Sequence, residues 1–158
     1  MPNLLNLTHT TGGGLLCVSV SSKPRDGIPA LPYDSQPISF STTSFGSESA
    51  RMTLEHTAII EDHWNQFGPG AVGIGWDLAL MGLAQHLATG APADHAAAEA
   101  WMGSPNGKEF MSQSGEFWRA AHVASGVDPA SAKERSDQTI AFYRGEIPPD
   151  MAHPGTGS

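Results

Sequence analysis

The chain has little charge and almost no cysteine for its length. Only 15% of its 158 residues are Asp, Glu, Lys or Arg, and small and weakly polar residues take up the difference. Cys17 is its only cysteine, which excludes a disulfide framework within the chain. A single thiol in an apolar stretch fits a reducing compartment, so the sequence favours a cytoplasmic protein.

Basic residues and long apolar runs are also scarce. Eight Lys and Arg stand against sixteen Asp and Glu, for a formal net charge of −8. An acidic chain without a basic patch repels phosphate backbones and anionic lipid, which argues against nucleic-acid partners. The most apolar run, residues 71–84, contains Asp77 and is shorter than the ~20 residues of a spanning helix. No membrane anchor is expected.

The chain divides into three regions by composition. Residues 1–46 form a Gly- and Pro-rich N-terminal segment with one or two strands, predicted at Gly14–Ser22 and Pro37–Phe45. Residues 47–146 combine a strand with helices, and residues 147–158 have the composition of a disordered tail. One folded domain is therefore expected, with loose ends.

The strand predicted at Ser49–Ile59 alternates clearly. Met52, Leu54 and His56 share one face of it. A short turn that contains glycine joins it to Pro37–Phe45, which predicts an antiparallel hairpin.

Helices follow this hairpin. From Val72 to Leu87, apolar side chains point in nearly every direction, which predicts a helix buried on several sides. Proline in the first turn and glycine after the last turn predict three more helices. They cover Pro92–Met102, Pro105–Ala124 with Ser104 as N-cap, and Pro129 to about Gly145.

The stretch from Arg51 to Leu87 resembles the last strand, connecting loop and long C-terminal helix of the SRPBCC superfamily, the START and Bet v 1-like helix-grip proteins. Two motifs carry the likeness: the strand pattern Thr53-Leu54-x-His56-Thr57 and the pair Gly75-Trp76 in the helix. Residues 99–146 are similar to the helical extension found in its branch of activator-of-Hsp90-ATPase-homologue-1-like proteins. About 46 residues precede the last strand, fewer than a full helix-grip domain has.

The resemblance implies an α+β fold, in which an incomplete antiparallel sheet packs on a long helix and a helical extension follows. It also implies a ligand cavity between sheet and helix. The candidate ligand-binding residues are Trp76, Asp77 and Leu80 from the helix and Met52, Leu54 and His56 from the strand. Asp77 is the one carboxylate in an otherwise apolar helix, and it either lies on a solvent-facing stripe or is buried as a hydrogen-bonding acid.

No catalytic set, metal site or cofactor motif is apparent. His56, Glu61, Asp62 and His63 lack metal-ligand spacing, and the last three are read as a solvated loop. Gly70, Gly73 and Gly75 are followed by Trp76 and Asp77 where a phosphate-binding loop needs Lys-Ser/Thr, so they are expected to permit close helix packing instead.

The sequence therefore favours a protein that binds a hydrophobic small molecule between sheet and helix. The first alternative is an interaction module of the Hsp90 co-chaperone kind, with a protein partner or a second copy of the chain. An enzyme of the polyketide cyclase kind ranks third, because catalysis would need a polar pair, including Asp77, that faces the cavity.

Overall fold

The protein is seen here as a computed structural model, which describes residues 3–10, 15–22, 38–45, 49–58 and 62–147. Within these ranges the fold is α+β, with an antiparallel sheet followed by five helices. The predicted tail at 147–158 lies outside the described residues, apart from Ile147.

The sheet has four strands in the order β2-β1-β4-β3, and each neighbouring pair is antiparallel. The strands are β1 (Asn3–Thr10), β2 (Leu15–Ser22), β3 (Ile38–Phe45) and β4 (Ser49–Ala58). The three predicted strands are confirmed, and β1 is an addition that pairs with both β2 and β4. Its register sets Leu7 beside Leu54, while β3 sets Phe40 beside Leu54 from the other side. β4 is consequently an inner strand.

The helices are α1 (Asp62–Phe67), α2 (Gly70–Thr89), α3 (His95–Gly103), α4 (Pro105–Ala124) and α5 (Pro129–Tyr143). The starts of α4 and α5 are confirmed, and each follows from its N-cap. The Ser104 hydroxyl accepts from the backbone N–H of Gly107 at 3.2 Å, and the Asp128 carboxylate accepts from that of Ser131 at 2.9 Å. A capping acceptor followed by proline satisfies the first turn in both cases.

Two boundaries differ from those predicted. α3 begins at His95 and not at Pro92, because Asp94 provides its cap by accepting from Ala97 N at 3.0 Å. The loop predicted at residues 61–63 is wrong from Asp62 onward, where α1 begins. That helix is held by burial of Trp64 and Phe67, which are 6% and 2% exposed.

The core lies where β4, α1, α2 and α4 meet. Its buried side chains are Leu54, Trp64, Ile74, Met111 and Trp118. Close approach of α2 to α4 depends on Gly73, because a Cβ there would overlap the Trp118 indole. The expectation that this glycine permits close helix packing is confirmed.

The expectation that the long apolar helix is buried on several sides is wrong for its distal half, residues 81–89. Every residue of this distal half is exposed, including Met81, Leu83 and Leu87 at 36%, 40% and 67%. A helix of 20 residues is about 30 Å long, whereas its buried residues, Gly70, Gly73 and Ile74, all lie in the first turns. The apolar sequence pattern of α2 therefore extends further along the helix than the described elements that pack against it.

Candidate functional site: a groove between two helices

An apolar groove with a cavity volume of about 260 Å³ runs between α2 and α4. Its walls are hydrophobic side chains: Leu80, Met81, Ala84, Phe110 and Phe117. Asp77, Gln113 and Ser114 are the polar residues that line it. An open apolar cleft with a few polar groups is the usual form of a small-molecule site, and we call it the α2–α4 groove.

Asp77 connects the two helices at this groove. Its Oδ2 accepts a hydrogen bond from the Ser114 hydroxyl at 2.5 Å and another from the Trp118 indole N–H at 3.0 Å. Its Oδ1 is buried and has no hydrogen-bond partner among the described residues. Both donors therefore converge on one oxygen, and the carboxyl group keeps spare acceptor capacity.

Helical spacing explains how this cluster forms. Gly73 and Asp77 are four residues apart and share one face of α2, as Ser114 and Trp118 do on α4. Gly73 leaves room for the indole ring, and Asp77, one turn later, accepts its N–H. The same pair of turns thus sets the helix separation and the hydrogen bonds.

The electrostatics of Asp77 follow from its burial. Desolvation raises the pKa of its carboxyl group, while the hydrogen bonds from Ser114 and Trp118 act in the opposite direction. Burial also raises the pKa of Tyr143, whose hydroxyl donates to Ala71 O at 2.8 Å, and the negative charge of Asp77 adds to that rise. The sequence left two alternatives for Asp77, a solvent-facing stripe or a buried carboxyl group that forms hydrogen bonds. The hydrogen bonds and the burial agree with the second alternative.

A different face of α2 meets the sheet. The Trp76 indole N–H donates to His56 Nδ1 at 3.1 Å, and the Trp76 ring makes an edge contact with Phe40, with 5.9 Å between centroids. Burial lowers the pKa of His56, in keeping with a neutral imidazole that accepts through Nδ1. Direct contacts therefore join β3 and β4 to the first half of α2.

The six candidate residues consequently fall into two groups. Asp77 and Leu80 line the α2–α4 groove. Trp76 and His56 bond to each other at the sheet, with Leu54 buried in the core at 1% exposure and Met52 half-buried on β4. Of the three residues predicted to share one face of the strand, Leu54 and His56 are buried.

Two residues of α4 that bond to Asp77 are not among the six candidate residues named from the sequence. Ser114 and Trp118 lie 37 and 41 residues from Asp77 along the chain. Trp118 belongs to the amphipathic apolar pattern of α4, whereas a lone serine in the middle of a helix has no recognisable sequence pattern. Their role depends on which faces of α2 and α4 meet.

The residues weighed as metal ligands have other contacts. His56 directs Nδ1 at Trp76, and the His63 ring lies on Phe67 with centroids 4.9 Å apart. Within residues 62–147 and the described strands, no three His, Cys, Asp or Glu side chains are grouped as metal ligands would be.

Comparisons with known proteins add no relative. No family model matches the chain, and neither curated proteins nor solved structures show significant similarity to it. Among the described helices, none is both long enough and apolar enough to cross a bilayer.

Proposed function

We propose that this chain binds a small hydrophobic molecule in the α2–α4 groove. The observation that carries the proposal is the combination of open apolar walls with one desolvated carboxyl group, Asp77, in the same cavity. Sites of this kind obtain affinity from apolar burial and orientation from a few polar atoms. The groove lies between two helices, and so differs in place from the cavity that the sequence suggested.

The size and exposure of the walls support this use. A volume of about 260 Å³ is near the lower limit of ordinary ligand sites, about 300 Å³, so the ligand is small. Phe117 is 66% exposed at the groove. Covering such a side chain with a ligand stabilises the complex by roughly 1–2 kcal/mol, which is part of the value for full burial.

Membership of the SRPBCC superfamily is a second part of the proposal. The resemblance of the strand-to-helix segment supports it. So does the contact of Trp76 with His56 and Phe40, since a helix-grip fold requires a β-layer against its long helix. That contact occupies space in which a ligand between sheet and helix would have to sit, and this favours the α2–α4 groove as the binding site.

A paired substitution on one helix tests the site. The fluorescence of a neutral apolar probe, N-phenyl-1-naphthylamine, would be titrated against the intact chain and two variants. Ala84 lines the groove, while Ala88 lies one turn later and is exposed outside it. Ala84→Phe fills the groove and is expected to weaken probe binding at least about tenfold, the loss of roughly 1.4 kcal/mol of contact; Ala88→Phe is expected to leave it unchanged.

Two results would contradict the proposal. Probe binding that is absent from the wild-type chain removes the site altogether. Equal affinity of the wild-type chain and Ala84→Phe, with both variants folded by circular dichroism, places any binding elsewhere.

Pairing of two copies through the distal half of α2 is a second candidate function. Residues 78–93 contain no Asp, Glu, Lys or Arg in a chain of net charge −8, so two copies meet there with the least repulsion. Leu80, Leu83 and Leu87 follow the alternating three- and four-residue spacing of helices that pack side by side. Leu83 and Leu87 are exposed on this segment.

Sedimentation velocity over a concentration series tests the pairing. Leu83→Glu is expected to shift the chain to monomer, because each copy would bring a charge into the apolar contact. Ala96→Glu on the exposed face of α3 is the matched control. A wild-type chain that stays monomeric at millimolar concentration would rule this candidate out.

A further inference from the structure

Among the described residues, the ionisable lining of the α2–α4 groove is acidic. Of the eight residues that line it in the described part of the chain, only Asp77 is ionisable. The other polar members are engaged: Gln113 Nε2 donates to Glu109 at 2.8 Å, and the Ser114 hydroxyl donates to Asp77 itself. Nothing among these residues neutralises a carboxylate.

The hydrogen bonds of Asp77 are arranged unequally. Oδ2 receives both donors, from Ser114 and Trp118, while the buried Oδ1 receives none from the described residues. A buried acceptor without a donor is unfavourable. A ligand ammonium group that reaches this carboxylate from the groove gains a charge-assisted hydrogen bond.

The aromatic walls fit the same ligand. Phe110 and Phe117 both line the groove with Asp77, and the faces of aromatic rings attract ammonium groups. An anionic head group would instead meet a carboxylate in a chain of net charge −8, with no Lys or Arg among the described lining residues. Charge complementarity thus separates cationic ligands from anionic ones of equal apolar area.

We infer that the α2–α4 groove selects amines: its ligand is a small molecule with an ammonium group that pairs with Asp77 and an apolar tail that lies on Leu80, Met81 and Phe117. This inference rests on the proposed function, since it assigns the head group of the same ligand. It predicts an order of affinity that burial of apolar area alone does not give.

The test is a matched series of eight-carbon probes: octylamine, 1-octanol and octanoate. Each would be measured by calorimetry, and by displacement of N-phenyl-1-naphthylamine, on the intact chain near neutral pH. Octylamine is expected to bind at least about tenfold more tightly than 1-octanol, as one charge-assisted hydrogen bond allows. Octanoate is expected to bind more weakly than 1-octanol.

Asp77→Asn keeps an oxygen acceptor for Ser114 and Trp118 but removes the charge, so the preference for octylamine is expected to disappear. Asp137→Asn is the control, because Asp137 is an exposed partner of Lys133 outside the groove. Should Asp77→Asn fold poorly, the wild-type chain at acidic pH provides the second arm. Protonation of the carboxylate there must reduce the preference for octylamine over 1-octanol.

The outcomes separate the two claims. Equal binding of octylamine and 1-octanol, or a preference for octylamine that survives in Asp77→Asn, overturns the inference and leaves the proposed function standing. Failure of all three probes and of the naphthylamine to bind overturns the proposed function, and the inference with it. A preference that is lost in Asp77→Asn and kept in Asp137→Asn supports both.

Discussion

At the scale of single residues, Asp77 belongs both to the contact between α2 and α4 and to the proposed binding groove. Its carboxyl group accepts from Ser114 and Trp118 and holds α4 against α2. Burial raises its pKa all the same, so the charged form is stabilised less in the folded chain than in the unfolded one. The hydrogen bonds that Asp77 accepts therefore stabilise the contact between α2 and α4, whereas the cost of burying its negative charge destabilises the folded chain.

Substitution of Asp77 should separate these two contributions. Asp77→Ala leaves the Ser114 hydroxyl and the Trp118 N–H without their acceptor, and is expected to lower the free energy of unfolding by about 2–4 kcal/mol. Asp77→Asn keeps a carbonyl acceptor and should lower it by less than about 1 kcal/mol. Urea unfolding at neutral pH measures both, and equal losses in the two variants would contradict the assigned acceptor role.

The sign of the pH dependence at Asp77 follows from its raised pKa. A group whose pKa is higher in the folded state contributes stability that is full below the unfolded value, 3.8, and is lost as the pH rises through the folded value. The stability of the wild-type chain relative to Asp77→Asn should therefore fall as the pH rises above 3.8 and then level off. Urea unfolding across this range checks it, and a constant difference would show that the pKa is not raised.

His122 is a further buried ionisable side chain whose pKa is shifted. It is 2% exposed, its ring meets Trp64 edge-on, and its Nε2 has no partner among the described residues. Burial, together with the positive charge of Arg135, lowers its pKa from 6.5 to about 4. The folded chain therefore holds this imidazole neutral.

Acid should destabilise the protein through His122. The unfolded chain takes up a proton as the pH falls through 6.5, whereas the folded chain resists until about 4. Stability present above pH 6.5 is thus lost between these values, by about 3 kcal/mol in total at roughly 1.4 kcal/mol per pH unit. An NMR titration of the ring checks the pKa directly, and Arg135→Gln is expected to raise it. A midpoint near 6.5 in the folded chain would refute the prediction.

At the scale of secondary-structure elements, glycines set the approach of α2 to α4. A methyl group on Gly73 would overlap the Trp118 ring, whereas one on Gly82 would meet nothing within 4 Å. Both glycines belong to the same helix. Substitution of each by alanine therefore separates the effect of helix packing, at Gly73, from the effect of helix propensity, at Gly82.

Gly73→Ala is expected to lower the free energy of unfolding by about 2–3 kcal/mol, because Trp118 must move and its bond to Asp77 weakens. Gly82→Ala is expected to raise that energy by about 0.5–1 kcal/mol, since alanine favours the helix and fills open space. Thermal unfolding of the two variants measures both. A stabilising Gly73→Ala would contradict the close contact of α2 with Trp118.

Local sequence signals were sufficient to predict most helices and strands, but they did not predict the residues that surround Asp77. Ser104-Pro105 and Asp128-Pro129 predicted the starts of α4 and α5, because a cap acts within its own turn. α1 was missed because a helix of six residues has too few turns for a period, and its burial comes from the core it joins. Asp77 was conspicuous as a lone carboxylate, yet its donors belong to a helix that begins 28 residues later.

The distal half of α2 shows the limit of the periodicity argument. An apolar pattern states which side chains avoid water, not how far the neighbouring elements extend. The pattern from Val72 to Leu87 is continuous, but burial among the described residues ends with the first turns of the helix. Trp76 contacts His56 of β4, whereas the apolar pattern gave no sign that Leu87 would be 67% exposed.

At the scale of the whole molecule, this uneven support predicts uneven backbone protection. Residues 74–78 belong to the part of α2 that contacts the core, the sheet and α4, whereas residues 81–89 are all exposed. A short, exposed helical segment is only marginally stable in water, and such segments open with free energies near zero. Hydrogen exchange should therefore be fast at 81–89 and should approach the rate of global unfolding at 74–78.

Hydrogen exchange at several protein concentrations shows whether a second copy of the chain or a ligand covers residues 81–89. If two copies pair through Leu83 and Leu87, protection of 81–89 should rise with protein concentration by more than protection of 74–78, and this rise should be lost in Leu83→Glu. If octylamine binds in the α2–α4 groove, protection should instead rise around Asp77 and Met81 at any protein concentration. Equal protection of the two halves of α2 in dilute wild-type protein would contradict the exposure on which the pairing depends.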